Sequence, residues 1–255
     1  REQTTFLLAS FYERLAEFDK SADYYESYFN TYKKGPKRAD AIFNAALFRE
    51  GLGEFDKAIS NYKIYIKDFP KKEDVLDISW RIGLIYEKKK DFRSVINHFS
   101  KMMRTFDRAK NKERALCADY KVIQGLISSN RISDAKKGYQ GLIDKYKGLT
   151  DKEKLETCPL NATGMAAFEL LEPEYSDFIS ISLNVRERDL LKNMNKKTTM
   201  IAELEKKYTS VLKIGQGEYG IASLYRIGKM YQHFSEEVLN SPCPRRLDED
   251  QCGMY

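Results

Sequence analysis

The sequence predicts an all-α chain, a tandem array of antiparallel helix pairs, and three observations predict it. Apolar and small residues recur at Ile42, Ala45, Ala46 and Arg49, and again at Ala58, Tyr62 and Tyr65 after a break at Gly51–Gly53. That spacing lays one stripe on each of two helices joined by a tight turn. The stripe then repeats every 37 residues: Ala9, Ala46 and Gly83 form one column, Ser21, Ala58 and Val95 a second, and Tyr25, Tyr62 and Phe99 a third. Finally, 6 prolines and 14 glycines among 255 residues are too few for a turn-rich β fold, and 42% hydrophobic content is enough to bury a core.

Taken in order, the first pair covers about residues 3–34, the second 38–70 and the third 75–107. Glu17-Phe18-Asp19, Glu54-Phe55-Asp56 and Asp91-Phe92-Arg93 mark their inner turns. Two further columns, Tyr28/Tyr65/Met102 and Tyr32/Phe69/Phe106, keep the period, and Pro70 closes the second pair because proline cannot continue a helix. A fourth pair, 112–147, follows after about three extra residues, with Ile123, Ala135, Tyr139, Leu142 and Tyr146 in the equivalent places. A small residue in the first helix lets the two helices approach, and aromatics fill the wedge against the next pair. One pair cannot bury its own stripe, so stability comes from stacking.

From 148 to 214 the pattern loosens into a degenerate fifth repeat with a lengthened second helix. Lys152–Leu171 reads as a helix interrupted near Cys158-Pro159, with Pro173 ending or kinking it. Residues 174–184 fit a turn of helix, an extended lid or an insertion. Arg186–Lys213 reads as one long helix burying Leu190, Met194, Ile201, Leu204, Tyr208 and Val211. Residues 215–255 read as the first helix of a further repeat, with Ile227, Gly228 and Tyr231 matching Ile82, Gly83 and Tyr86, and then a tail. The expectation is an array cut mid-repeat, from a processed protein or an excised fragment, since the chain starts at Arg1 and shows no signal-peptide core.

Composition excludes some functions. The formal charge of +6 comes from 44 basic and 38 acidic residues, and basic runs are as short as Lys88–Lys90, so no concentrated nucleic-acid face is expected. No window approaches the ~18 apolar residues of a membrane span. Gly215-Gln216-Gly217-Glu218-Tyr219-Gly220 satisfies G-x-G-x-x-G, yet a helix precedes it where a phosphate loop needs a strand; an interhelical turn is the simpler reading. His98 and His233 have no second ligand at metal-binding spacing, so neither a metal nor a cofactor is expected, and no hydrolase signature occurs. In an oxidising compartment the expected cysteine pairs are Cys117–Cys158 and Cys243–Cys252; in a reducing one all four stay buried thiols. Asn161-Ala162-Thr163 fits a glycosylation sequon on a helix.

The unit at 39–70 resembles a tetratricopeptide repeat, a 34-residue helix-turn-helix whose small, aromatic and closing proline positions are here Ala46, Ala58, Tyr62 and Pro70. The resemblance implies a right-handed superhelical solenoid whose first helices line a concave groove. The column pointing into it is Phe6, Phe43, Trp80, Tyr120 and Tyr225. Beside it stand Leu7, Asn44, Arg81, Lys121 and Arg226, and one turn further on Ser10, Leu47, Leu84 and Gln124. Aromatics beside cations suit a peptide or helix of a partner protein with apolar anchors and acidic groups. Equally, the family favours an aromatic and an asparagine there for ordinary packing. Phe6, Ser10 and Asp77 stand where clamps for chaperone C-termini carry lysine, asparagine and lysine, so that ligand is not expected.

The function expected is therefore a non-enzymatic protein-interaction scaffold that does not insert into membranes. The lengthened period resembles that of long bacterial envelope repeat proteins, which implies a periplasmic or envelope-associated place. Two alternatives stand beside it. Terminal repeats could self-associate, or residues 148–217 could hold an enzyme or ligand site, with Glu172, Glu174, Asp177 and Arg186 as the polar groups available.

Overall fold

The computed structural model describes residues 1–106, 110–243, 248 and 250, which form thirteen helices and, among the described residues, no strand. They divide into two compact units: Arg1–Asn111 with Lys121–Arg131, and Lys112–Tyr120 with Ile132–Tyr255.

In the first unit α1 (Glu2–Arg14), α2 (Phe18–Thr31), α3 (Arg38–Gly51), α4 (Phe55–Asp68), α5 (Val75–Lys88) and α6 (Phe92–Thr105) each pack on the next, and the later half of α7 (Lys112–Ser128) joins them. The turn inside each pair is the same device. Ala16, Gly53, Lys90 and Asn130 all take positive φ, between 56° and 77°. The following amide of Glu17, Glu54, Asp91 and Arg131 reaches back to the carbonyl of Tyr12, Arg49, Tyr86 and Leu126. This is the left-handed C-terminal cap that ties off orphan carbonyls. It reverses the chain in three residues, so α2, α4 and α6 fold back on α1, α3 and α5.

The small-residue column explains how closely they fold back. A Cβ at Gly83 would lie 2.3 Å from the Phe99 ring, so only glycine admits that aromatic. Ala46 and Ala58 are fully buried in a core with Ile42, Tyr62, Ile78 and Ile82. In the first pair the Ser21 hydroxyl donates to the Ala9 carbonyl at 2.9 Å, which satisfies a polar atom buried in the seam.

The second unit holds α8 (Ile132–Lys147), α9 (Asp151–Lys154), α10 (Thr157–Glu169), α11 (Glu172–Ser180), α12 (Glu187–Leu212) and α13 (Gly217–Leu239), with the first half of α7. α10 packs on α8 and α13, and α12 packs on α13 around Phe168, Phe178, Leu204, Tyr208 and Met230. The helical break falls at Leu155-Glu156 rather than at Cys158-Pro159, because Pro159 sits in the first turn of α10, where its missing N–H is not needed. Pro173 likewise lies in the first turn of α11, so residues 172–180 are helical and only 181–186 are not. Cys117 of α7 and Cys158 of α10 form a disulfide, with Cα atoms 6.0 Å apart. Cys252, of the other expected pair, lies outside the described residues.

Candidate functional site

Phe6 and Phe43 stand on α1 and α3 at the same place in successive repeats, half-buried. Phe6 packs edge-on against Tyr25 and Tyr28, each 5.3 Å away between centroids. Phe43 leans on Tyr62 at 6.2 Å and Tyr65 at 5.9 Å. Each ring therefore uses one side to pack on the second helix of its own pair, as does Trp80, 4.9 Å from Phe99. Their other sides differ in use. Phe6, Ser10, Phe43 and Asn44 line one open cleft of about 830 Å³, together with Asp40, Lys71, Lys72, Glu73 and Asp74. The Tyr25 hydroxyl donates to Glu13 at 2.9 Å and shares a 3.1 Å contact with Ser10, so the cleft floor carries an ordered polar group between aromatic walls. Burial, first of all, holds the Tyr25 phenol above its ordinary pKa, and it stays a neutral hydroxyl. Leu47 and Arg81 line a separate cleft of about 580 Å³ with Phe48, Glu50 and Leu52.

Three of the cations expected on this face are held by carboxylates. Glu50, with only 8% of its side chain exposed, accepts hydrogen bonds from Arg81 Nε, Lys88 Nζ at 2.9 Å and the Tyr62 hydroxyl at 3.2 Å. One repeat later Lys121 Nζ reaches Glu87 at 2.9 Å. In the second unit Arg226 grips Glu172 with both Nε (2.9 Å) and Nη2 (2.6 Å), and the Tyr208 hydroxyl also leans on Glu172 at 3.4 Å. The glutamate–cation pair recurs in all three places, and at Glu50 and Glu172 a tyrosine completes it, the three groups drawn from three successive helices. Burial opposes the charge on Glu50, yet Arg81 and Lys88 more than offset it and hold its carboxyl below the usual range. Arg81, Lys121 and Arg226 are thus each held by a carboxylate of a neighbouring helix pair, a use that the sequence reading did not anticipate. Glu13, Glu50 and Glu87, 37 residues apart, were the signal that would have shown it.

The remaining expected residues fall in both units. Leu84 and Gln124 are half-buried in the first unit; in the second, Tyr120 is half-buried and Tyr225 is exposed beside Lys229. Of the polar groups offered for an alternative site, Glu172 is taken by Arg226 and Glu174 pairs with Lys207 at 2.5 Å, while Asp177 and Arg186 lie exposed elsewhere. His98 and His233 each bond a backbone carbonyl, those of Ser79 and Ile179. The glycine motif turns α12 into α13, with Gly215 at φ +86° and Gln216 capping α13 through the Tyr219 amide. Asn161 accepts from Gln216 Nε2 at 3.2 Å. Sequence reasoning missed Lys197, a fully buried amine in the apolar stripe of α12, discussed below.

Residues 40–72 match a family model for the tetratricopeptide repeat. No curated protein matches the chain significantly. Among solved structures, a tetratricopeptide repeat protein of Bacteroides fragilis superimposes with a TM-score of 0.52 at 10% identity, covering 94% of this chain and 98% of that one. A tetratricopeptide repeat protein of Parabacteroides merdae aligns over 94% of both chains at 12% identity and a TM-score of 0.42. Repeats of this family generally mediate contacts between proteins. The chain thus carries a tetratricopeptide repeat at residues 40–72, and its tandem helix pairs have the fold of tetratricopeptide repeat proteins.

Proposed function

We propose that this protein is a non-enzymatic interaction module that seats a short segment of a partner protein in the cleft of Phe6, Ser10, Phe43 and Asn44. The observation that carries the reading is the cleft itself: four residues from equivalent turns of α1 and α3 converge on one open space of about 830 Å³. Two aromatic edges offer apolar anchoring, while Ser10, Asn44 and the Tyr25 hydroxyl offer hydrogen bonds to a backbone. The cleft's own cations, Lys71 and Lys72, are offset by Asp40, Glu73 and Asp74 in the same lining, so apolar side chains rather than carboxylates supply the anchoring. The Cys117–Cys158 disulfide supports an oxidising compartment for this work.

The test is a peptide selected on the whole chain from a random library, followed by affinity measurement on variants. Asn44→Ala and Phe43→Leu should each weaken binding by about tenfold, a typical interface anchor effect, with the helical signal of the folded chain retained. Lys137→Ala, on the exposed side of α8, should change nothing. Selected peptides that bind all three variants as tightly as the parent would move the binding face elsewhere.

A further inference from the structure

A second cleft lies on the opposite helices of the first unit, between α4 and α6 with α5 as its floor. It encloses about 480 Å³ and is lined by apolar Ile66, Ile82 and Met102 and by Lys63, Lys67 and Lys101. No carboxylate lines it among the described residues. Lys63 Nζ donates to the Tyr86 hydroxyl at 3.0 Å, and that hydroxyl keeps its own proton to offer. Neither Lys67 nor Lys101 has an ion-pair partner among the described residues.

What makes this cleft informative is the same place one repeat earlier. There Arg49, only 4% exposed, holds Asp23, Glu26 and Glu54, and Glu26 also accepts from Asn61 Nδ2 at 2.7 Å. Arg49, Glu26 and Asn61 correspond, 37 residues on, to Tyr86, Lys63 and His98. In the earlier seam the anion is built in and the arginine fills the space. In the later one a lysine replaces the glutamate and a tyrosine the arginine, which leaves an excess of positive charge around an apolar hollow. The His98 ring adds no charge of its own, since burial lowers its pKa and its Nε2 hydrogen goes to the Ser79 carbonyl, 2.7 Å away.

We propose that the α4–α6 cleft is a binding site for an organic carboxylate with an apolar body, whose acid group takes the place that Glu26 fills in the preceding repeat. The carboxylate meets Lys63 and the Tyr86 hydroxyl with Lys101 on the opposite wall, and its chain lies on Ile66, Ile82 and Met102. The volume lies within the range of small-ligand pockets. This site is independent of the peptide cleft, and either can fail alone.

Octanoate is the probe, titrated into the whole chain at neutral pH by calorimetry and by amide chemical shifts, with octan-1-ol and octylamine alongside. The expected result is saturable one-to-one binding of octanoate, at least tenfold tighter than octan-1-ol, with octylamine excluded. Rebuilding the earlier plug with K63E, Y86R and H98N should abolish octanoate binding. Should that triple variant fail to fold, Lys101→Glu on the exposed rim should weaken octanoate at least tenfold while the helical signal stays intact. Equal affinity for octanoate and octan-1-ol, absence of saturation, or indifference to Lys101→Glu in a folded chain would each overturn the proposal.

Discussion

A left-handed backbone costs a residue with a Cβ roughly 1–2 kcal/mol, and the turn inside each pair demands it at Ala16 and Lys90, whereas Gly53 and Asn130 are suited to it by type. Ala16→Gly and Lys90→Gly should therefore each stabilise the first unit by about 0.5–1 kcal/mol, after allowing for glycine's entropy in the unfolded chain. Urea midpoints that fall instead would mean the caps are not strained. Lys197 presents the opposite situation. Its ammonium is buried without a hydrogen-bond partner, 4.3 Å from the Phe178 ring centroid, and burial lowers its pKa below 10.5 although Glu237 raises it. A lysine whose folded pKa is depressed binds protons better when unfolded, so stability falls as pH drops through 10.5 toward the folded value. Lys197→Met should raise stability at pH 7 by about 1–3 kcal/mol and flatten the pH profile below 10.5. In sequence, 197 occupies the stripe position between Met194 and Ile201, and only the expectation that lysine seeks water hid it. Glu50 gives the acid side: its carboxyl is held low, so its contribution is full above about pH 4.5 and is lost as pH falls through the folded pKa.

Between elements, the seam of each pair decides the fold. Ala58 is fully buried where α4 crosses α3, so Ala58→Asp should cost at least about 3 kcal/mol by burying an unpaired charge. Gly83→Val should cost a comparable amount, since the Phe99 ring is itself buried and has no space to yield. An unaltered thermal midpoint in either variant would move the seam. These seams were legible because a small residue against an aromatic recurs in register, and a period that fixes five columns also fixes which helices touch. Phe6, Phe43 and Trp80 were legible as a column for the same reason, but their packing onto Tyr25, Tyr62 and Phe99 was not distinguishable from exposure, since an aromatic suits both. The ion pairs of the cation column were not legible because a periodic charge reads alike whether it faces solvent or the glutamate of the preceding pair. Residues 148–186 were least readable: without a second copy, Pro159 and Pro173 mark helix starts as readily as helix ends.

At the scale of the molecule, the two units draw on different reserves. The first holds itself together by repeated seams and glutamate clasps, and it carries the chain's single tryptophan, Trp80. The second lacks that regularity but has a covalent tie, since Cys117 and Cys158, 41 residues apart in sequence, anchor α10 to α7. Closing a loop of that length removes unfolded-state entropy worth about 4 kcal/mol in the chain-entropy model, and less where the reduced state keeps structure. Of the first unit only Lys121–Arg131 falls within that loop, so the stabilisation reaches the rest of that unit only through contacts. Reduction should consequently lower the unfolding midpoint of the second unit while leaving the first close to its oxidised value. Trp80 fluorescence reports only the first unit and far-ultraviolet dichroism reports both, so the two transitions should coincide less well after a reductant is added. If Trp80 emission and helical signal shift together and by the same amount, the whole chain unfolds as one cooperative body and the bridge stabilises all of it.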